Sequence, residues 1–172
     1  MPEYMTPCNR MLLFVGVLAL VAASAAYGGV TRQACTPGVK TVGGVSERTF
    51  CGPAKATVRF GPQTFHYSGG ACEKTSKYVS VNIGTVVLGQ TTKRKPDYFG
   101  LDVGSIPGST AKPAPGDGTY TGVVLALEHG GKAYLASPAG LTATLSGNRS
   151  KGTISGTALL GASGKVTGTF SC

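Results

Sequence analysis

Four cysteines and six carboxylates hold most of the chemistry this sequence could do. Beyond residue 26 the cysteines are Cys35, Cys51, Cys72 and Cys172, and the carboxylates are Glu47, Glu73, Asp97, Asp102, Asp117 and Glu128. Metal ligation by the cysteines fails on spacing, because no Cys-x-x-Cys occurs and His66 and His129 stand far apart. A catalytic centre needs a nucleophile, a base and an orienting group, or two carboxylates, held in a pocket. Asp117 lies in a Gly-Asp-Gly turn, which turn chemistry explains. Glu128-His129 borders a Gly-Gly turn and reads as solvated edge, and His66 alternates with Phe65 and Tyr67 on an outward position. No Gly-x-Ser-x-Gly elbow supports a serine nucleophile. The expectation is a protein without an active site, cofactor or metal. The alternatives are a small binding module for a lipid, glycan or protein, and then a hydrolase or protease inhibitor using the loop from Pro107 to Gly118.

The cysteines therefore read as disulfides, which form in oxidising compartments. Four cysteines allow three pairings. The favoured one joins Cys35 to Cys51, closing a short loop, and Cys72 to Cys172, tying the last residue to the middle of the domain. Residues 1–26 carry the matching export signal. Arg10 ends a polar stretch, Met11 to Ala22 is almost unbroken apolar sequence, and Ala23-Ser24-Ala25-Ala26 supplies small residues for cleavage after Ala25 or Ala26. A lipid-modified cysteine would directly follow the apolar run. Cys35 instead follows Arg32-Gln33-Ala34, and Cys8 precedes the run. The expected mature chain is secreted, or retained at the cell envelope, with no acyl anchor and no spanning segment.

The net charge of +9 arises from 16 basic and 7 acidic residues, scattered singly apart from Lys93-Arg94-Lys95. Nucleic-acid binding normally needs a concentrated basic face, so nucleic acid is not an expected partner. Lys93, Arg94 and Lys95 read as a solvated loop tip before Pro96. Their one candidate role is contact with anionic envelope or host surfaces. Asn148-Arg149-Ser150 fits the glycosylation triplet.

Period-two alternation fills the chain after Ala54 and predicts an all-β domain over residues 54–172, a β-sandwich or small barrel stapled by disulfides. Val79, Val81 and Ile83 share one face of a strand whose other face carries Tyr78, Ser80 and Asn82. Thr119 to Glu128 reads as one long strand, turned by His129-Gly130-Gly131 into Lys132 to Ala136. Leu141, Ala143 and Leu145 alternate with Thr142 and Thr144, while Val166, Phe170 and Cys172 alternate with Thr167, Thr169 and Ser171. About eight or nine strands at even spacing suit either architecture. Residues 27–53, punctuated by Gly-Gly and Pro-Gly, read as an irregular segment closed by a disulfide.

From Lys55 to Cys172 the chain resembles the mycobacterial nineteen-kilodalton lipoprotein antigen family. The likeness rests on Cys72 ahead of Val79-Ser80-Val81-Asn82-Ile83-Gly84, on Phe99-Gly100-Leu101-Asp102-Val103, on Thr153-Ile154-Ser155-Gly156-Thr157-Ala158 and on the closing Thr169-Phe170-Ser171-Cys172. It implies an actinobacterial surface antigen without enzymatic activity, and a Cys72–Cys172 bond. Members of that family carry a lipobox cysteine and a Ser/Thr/Gly-rich tether. Here the Cys35 to Cys51 segment stands in their place.

Overall fold

Alternation of large apolar and short polar residues builds the strands, as β3 (Ala54–Phe60) illustrates. Ala54, Ala56, Val58 and Phe60 are buried, while Lys55, Thr57 and Arg59 point outward. The computed structural model describes residues 35–88, 96–136, 140–158 and 164–172, all within the compact unit Gln33–Cys172. Among them the regular elements are twelve strands, every pairing antiparallel, with no α-helix.

β4 (Gln63–Lys74) is the hinge of the architecture. Its first part pairs with β3, and Ala71–Lys74 pairs with β5 (Tyr78–Leu88). Its register with β3 skips Gly69, opposite Ala54 and Lys55, and this bulge marks the bend, since bulges sharpen local twist. Gly70 permits it: a Cβ there would lie 2.5 Å from Ile83 Cα and 2.3 Å from the Asn82 carbonyl. From β4 one wing continues through β5, β6 (Tyr98–Gly104), β8 (Val124–His129) and β9 (Lys132–Ala136). The other runs through β3, β12 (Gly164–Ser171), β11 (Lys151–Ala158), β10 (Leu141–Ser146) and β7 (Gly118–Thr121). The sheet curls so that the inner faces of both wings share one apolar core.

Packing on the second wing depends on matching large residues with small ones across strands. Leu145 faces Gly152, Gly152 faces Phe170, and Phe170 faces Ala56. One row along, Ala143 faces Ile154, Ile154 faces Gly168, and Gly168 faces Val58. The Phe170 ring fills the space over Gly152, where a Cβ would come within 2.7 Å of it. Volume complementarity of this kind specifies register, because a one-residue slip would reverse both faces.

Both cysteine pairs are at disulfide distance in the favoured pairing. Cys72 and Cys172 lie 5.6 Å apart at Cα and join β4 to the end of β12, and Cys35 and Cys51 lie 5.8 Å apart. Three expectations need correction. Residues 27–53 are not irregular throughout: β1 (Gly38–Val42) and β2 (Val45–Phe50) form a hairpin that Cys35–Cys51 clamps at its open end, and β2 pairs with β5. The Gly43-Gly44 pair marks a tight turn, and β1 is too exposed to carry an apolar stripe. Thr119 to Glu128 is two strands, since the chain breaks after Thr121 and sends β7 to β10 but β8 to β6. These divisions raise the strand count above the expected eight or nine. The Gly130-Gly131 turn between β8 and β9 stands as expected, with φ of 56° and 78°.

Candidate interaction face

Sequence-predicted site residues divide into those with a described position and those without. The four cysteines hold the staples above, whereas Lys93, Arg94 and Lys95 lie outside the described residues. His129 sits at the end of β8 with Nδ1 3.4 Å from Asp97 Oδ2, both side chains being about half exposed. Asp97 Oδ1 also accepts the Gly130 amide at 3.1 Å, so this carboxylate ties the start of β6 to the β8–β9 turn. The imidazole packs 5.1 Å from the Phe65 ring, and the Glu128 carbonyl accepts the Tyr67 hydroxyl at 3.2 Å. Burial, then the Asp97 charge, raises the Tyr67 phenol above its ordinary range. Sequence adjacency groups His129 with Glu128, whereas its Asp97 partner is set by the pairing of β6 with β8. His66 faces outward, with Nδ1 3.2 Å from Thr57 Oγ1. No group of three or more metal-ligating side chains occurs among the described residues.

On the outer face of β5 and β6 a polar network closes on itself. Tyr98 donates to Asn82 Oδ1 at 2.6 Å, and Asn82 donates to Ser80 Oγ at 2.9 Å. Burial pushes the Asp102 carboxyl above its ordinary value, against the opposing hydrogen bond from Ser80, and the nearby Glu73 charge adds to the rise. Burial, then the Asp102 charge, pushes Tyr98 up to about 12, with Arg48 acting against it. Tyr98 lies over Gly100, where a Cβ would come within 2.3 Å of the phenol oxygen. These groups satisfy one another.

The outer face of the other wing is built differently. Pairing registers align its outward residues into rows that cross the strands. One row is Thr119, Thr144, Thr153, Thr169, Thr57 and His66, from β7 through β10, β11, β12 and β3 to β4. The next is Thr121, Thr142, Ser155, Thr167, Arg59 and Thr64. A third, on the opposite side of the first, is Ser146, Lys151, Ser171, Lys55 and Ser68. Neighbouring strands lie about 4.8 Å apart, so adjacent hydroxyls meet. Thr119 and Thr144 Oγ1 are 3.0 Å apart, as are Thr142 Oγ1 and Ser155 Oγ. Shallow depressions line the face; the one formed by Arg59, Gly61, Lys165 and Thr167 has a volume of about 260 Å³. Alternating threonines were visible strand by strand in the sequence, but their alignment was not.

Compared with protein-family models, curated proteins and solved structures, the chain shows no significant match.

Proposed function

We propose that this chain is an exported, non-catalytic surface protein of a cell envelope, antigen-like in the sense of the family it resembles. The observation that carries the reading is the pair of stapled cysteine sets, closing loops of 16 and 100 residues. Reducing compartments do not maintain such bonds. Supporting it are the cleavable-type signal in residues 1–26 and the family-like segments between Lys55 and Cys172. No described helix is long and apolar enough to cross a membrane. A binding role is favoured by the outer hydroxyl face, which is exposed and bears depressions, whereas the core is filled by side chains.

Intact-mass analysis and fractionation of the protein from its native host test the proposal. The expected product begins at Ala26 or Tyr27, carries two disulfides and no diacylglyceryl group, and is found outside the cytoplasm. Retention of Met11 to Ala26, or a cytoplasmic protein with reduced cysteines, refutes it.

A further inference from the structure

Acidic residues are concentrated on one wing, whereas basic residues stand on both. The carboxylates Glu47, Glu73, Asp97, Asp102 and Glu128 all lie on or beside β2, β5, β6 and β8 or the β5-paired end of β4. Asp117, just before β7, is engaged by the Asn148 and Arg149 amides at 3.1 and 2.6 Å. The described strands β3, β7, β10, β11 and β12 carry no acidic residue, and Lys55, Arg59, Lys151 and Lys165 all extend from their exposed side. Those cations flank the threonine row: Lys55 and Lys151 stand in the row on one side, Arg59 in the row on the other.

We propose that the outer face of β7-β10-β11-β12-β3-β4 is a docking surface for an anionic polysaccharide lying along the threonine row. Charge complementarity selects an anion. The hydroxyls select a partner with many donors and acceptors, spaced along an extended chain. Five aligned threonines extend about 19 Å, four interstrand steps. Threonine side chains are stiff at χ1, so ordering them on a ligand costs little compared with ordering long side chains. Other occupants fit less well. Single-stranded nucleic acid binds by stacking bases on aromatic rings, and Phe60, Phe65, Tyr67 and Phe170 of these strands all point into the core. A protein partner would call for an apolar or aromatic centre, which these rows do not have.

Retention of the full, disulfide-bonded chain on polygalacturonate, with neutral dextran, oligo-dT and phosphatidylglycerol vesicles as parallel probes, tests this. Polygalacturonate binding is expected and dextran binding is not. The triple change Lys55→Gln, Arg59→Gln, Lys151→Gln should weaken binding tenfold or more. Lys40→Gln, Lys77→Gln, Lys132→Gln, which removes the same charge from elsewhere on the surface, should change it less than twofold. Thr153→Val with Thr169→Val leaves charge and strand preference intact and should still weaken binding several-fold. Thermal melts matching the wild type establish that each variant is folded, and the two face variants test the face independently. Failure to bind polygalacturonate, equal losses in both charge triples, an unaffected threonine variant, or tighter binding of oligo-dT or vesicles overturns the proposal. None of these outcomes bears on the cell fraction or cleavage site, so the envelope reading stands or falls separately.

Discussion

Removing the Cys72–Cys172 bond with Cys72→Ser and Cys172→Ser should destabilise the fold more than removing Cys35–Cys51. The bond closes a loop of 100 residues, the other a loop of 16. Loop-closure entropy then constrains the unfolded chain by about 4.7 kcal/mol in the first case and about 3 kcal/mol in the second. Native contacts widen the gap. Cys72 and Cys172 pack against the core, the Cys172 amide donates to the Ser150 carbonyl at 2.7 Å, and the neighbouring Phe170 is buried over Gly152. Cys35–Cys51 instead clamps a hairpin whose first strand is mostly exposed. For a domain of this size 1 kcal/mol moves the melting temperature by roughly 3–4 °C, so the first variant should melt about 15 °C earlier and the second 10 °C or less. Differential scanning calorimetry of both variants and the wild type measures this. An equal or larger drop for the Cys35→Ser, Cys51→Ser variant would refute the reasoning, and so would peptide mapping that finds Cys172 joined to any cysteine but Cys72.

Gly70→Ala should cost about 3 kcal/mol or more in urea unfolding, the upper end for overpacking, because the new methyl would strike backbone at Asn82 and Ile83. Arg149→Ala should cost about 2–3 kcal/mol by the same assay, since its guanidinium donates to the carbonyls of Thr75 and Ala114 and charged hydrogen bonds are worth about that. Both bonds leave one nitrogen, Nη1, so Arg149→Lys, whose ammonium carries three donors, should recover more than half of the loss. Asp102→Asn should raise stability at pH 7 and leave it unchanged near pH 3. The folded carboxyl holds its proton more tightly than the unfolded one, so this stabilisation is full below about 3.8 and is lost as pH rises through the raised value. Melting temperatures of both proteins from pH 3 to 7 check the sign, and a gain confined to low pH would contradict it.

Strands with a continuous apolar face were legible in the sequence because their burial follows the alternation directly. Val79, Val81 and Ile83 are all buried, and so are Leu141, Ala143 and Leu145. Parity also aimed Cys172 toward the core, where it packs. Legibility ended where a strand gains its stability from pairing rather than burial. β1 exposes nearly every side chain, so Gly-Gly and scattered polar residues gave no apolar stripe to read. β7 and β8 are joined by a two-residue break yet pair with strands on different wings, and local hydrophobicity carries no mark of that divergence.

The hydroxyl rows show why a surface can be determined by a sequence and still be unreadable in it. Each strand of the second wing announces threonine at alternate positions, but a row exists only when the registers agree across six strands. Three of those registers follow from short connections, β3 to β4, β10 to β11 and β11 to β12. The pairing of β12 with β3 joins the end of the chain to the start of the domain, and β10 reaches β7 past β8 and β9. No local pattern sets these. The core does: Phe170 lies opposite Ala56 and Gly168 opposite Val58, large against small. That choice places Thr169 beside Thr57 and Thr167 beside Arg59 on the other face. A slip by one residue would bury the threonines, and a slip by two toward Phe60 would set Phe170 against Val58, where Gly168 now fits. The order of the outer face is thus imposed by volume complementarity on the inner one, and substitutions that disturb the Gly152–Phe170–Ala56 packing should disorganise the threonine row before they unfold the domain.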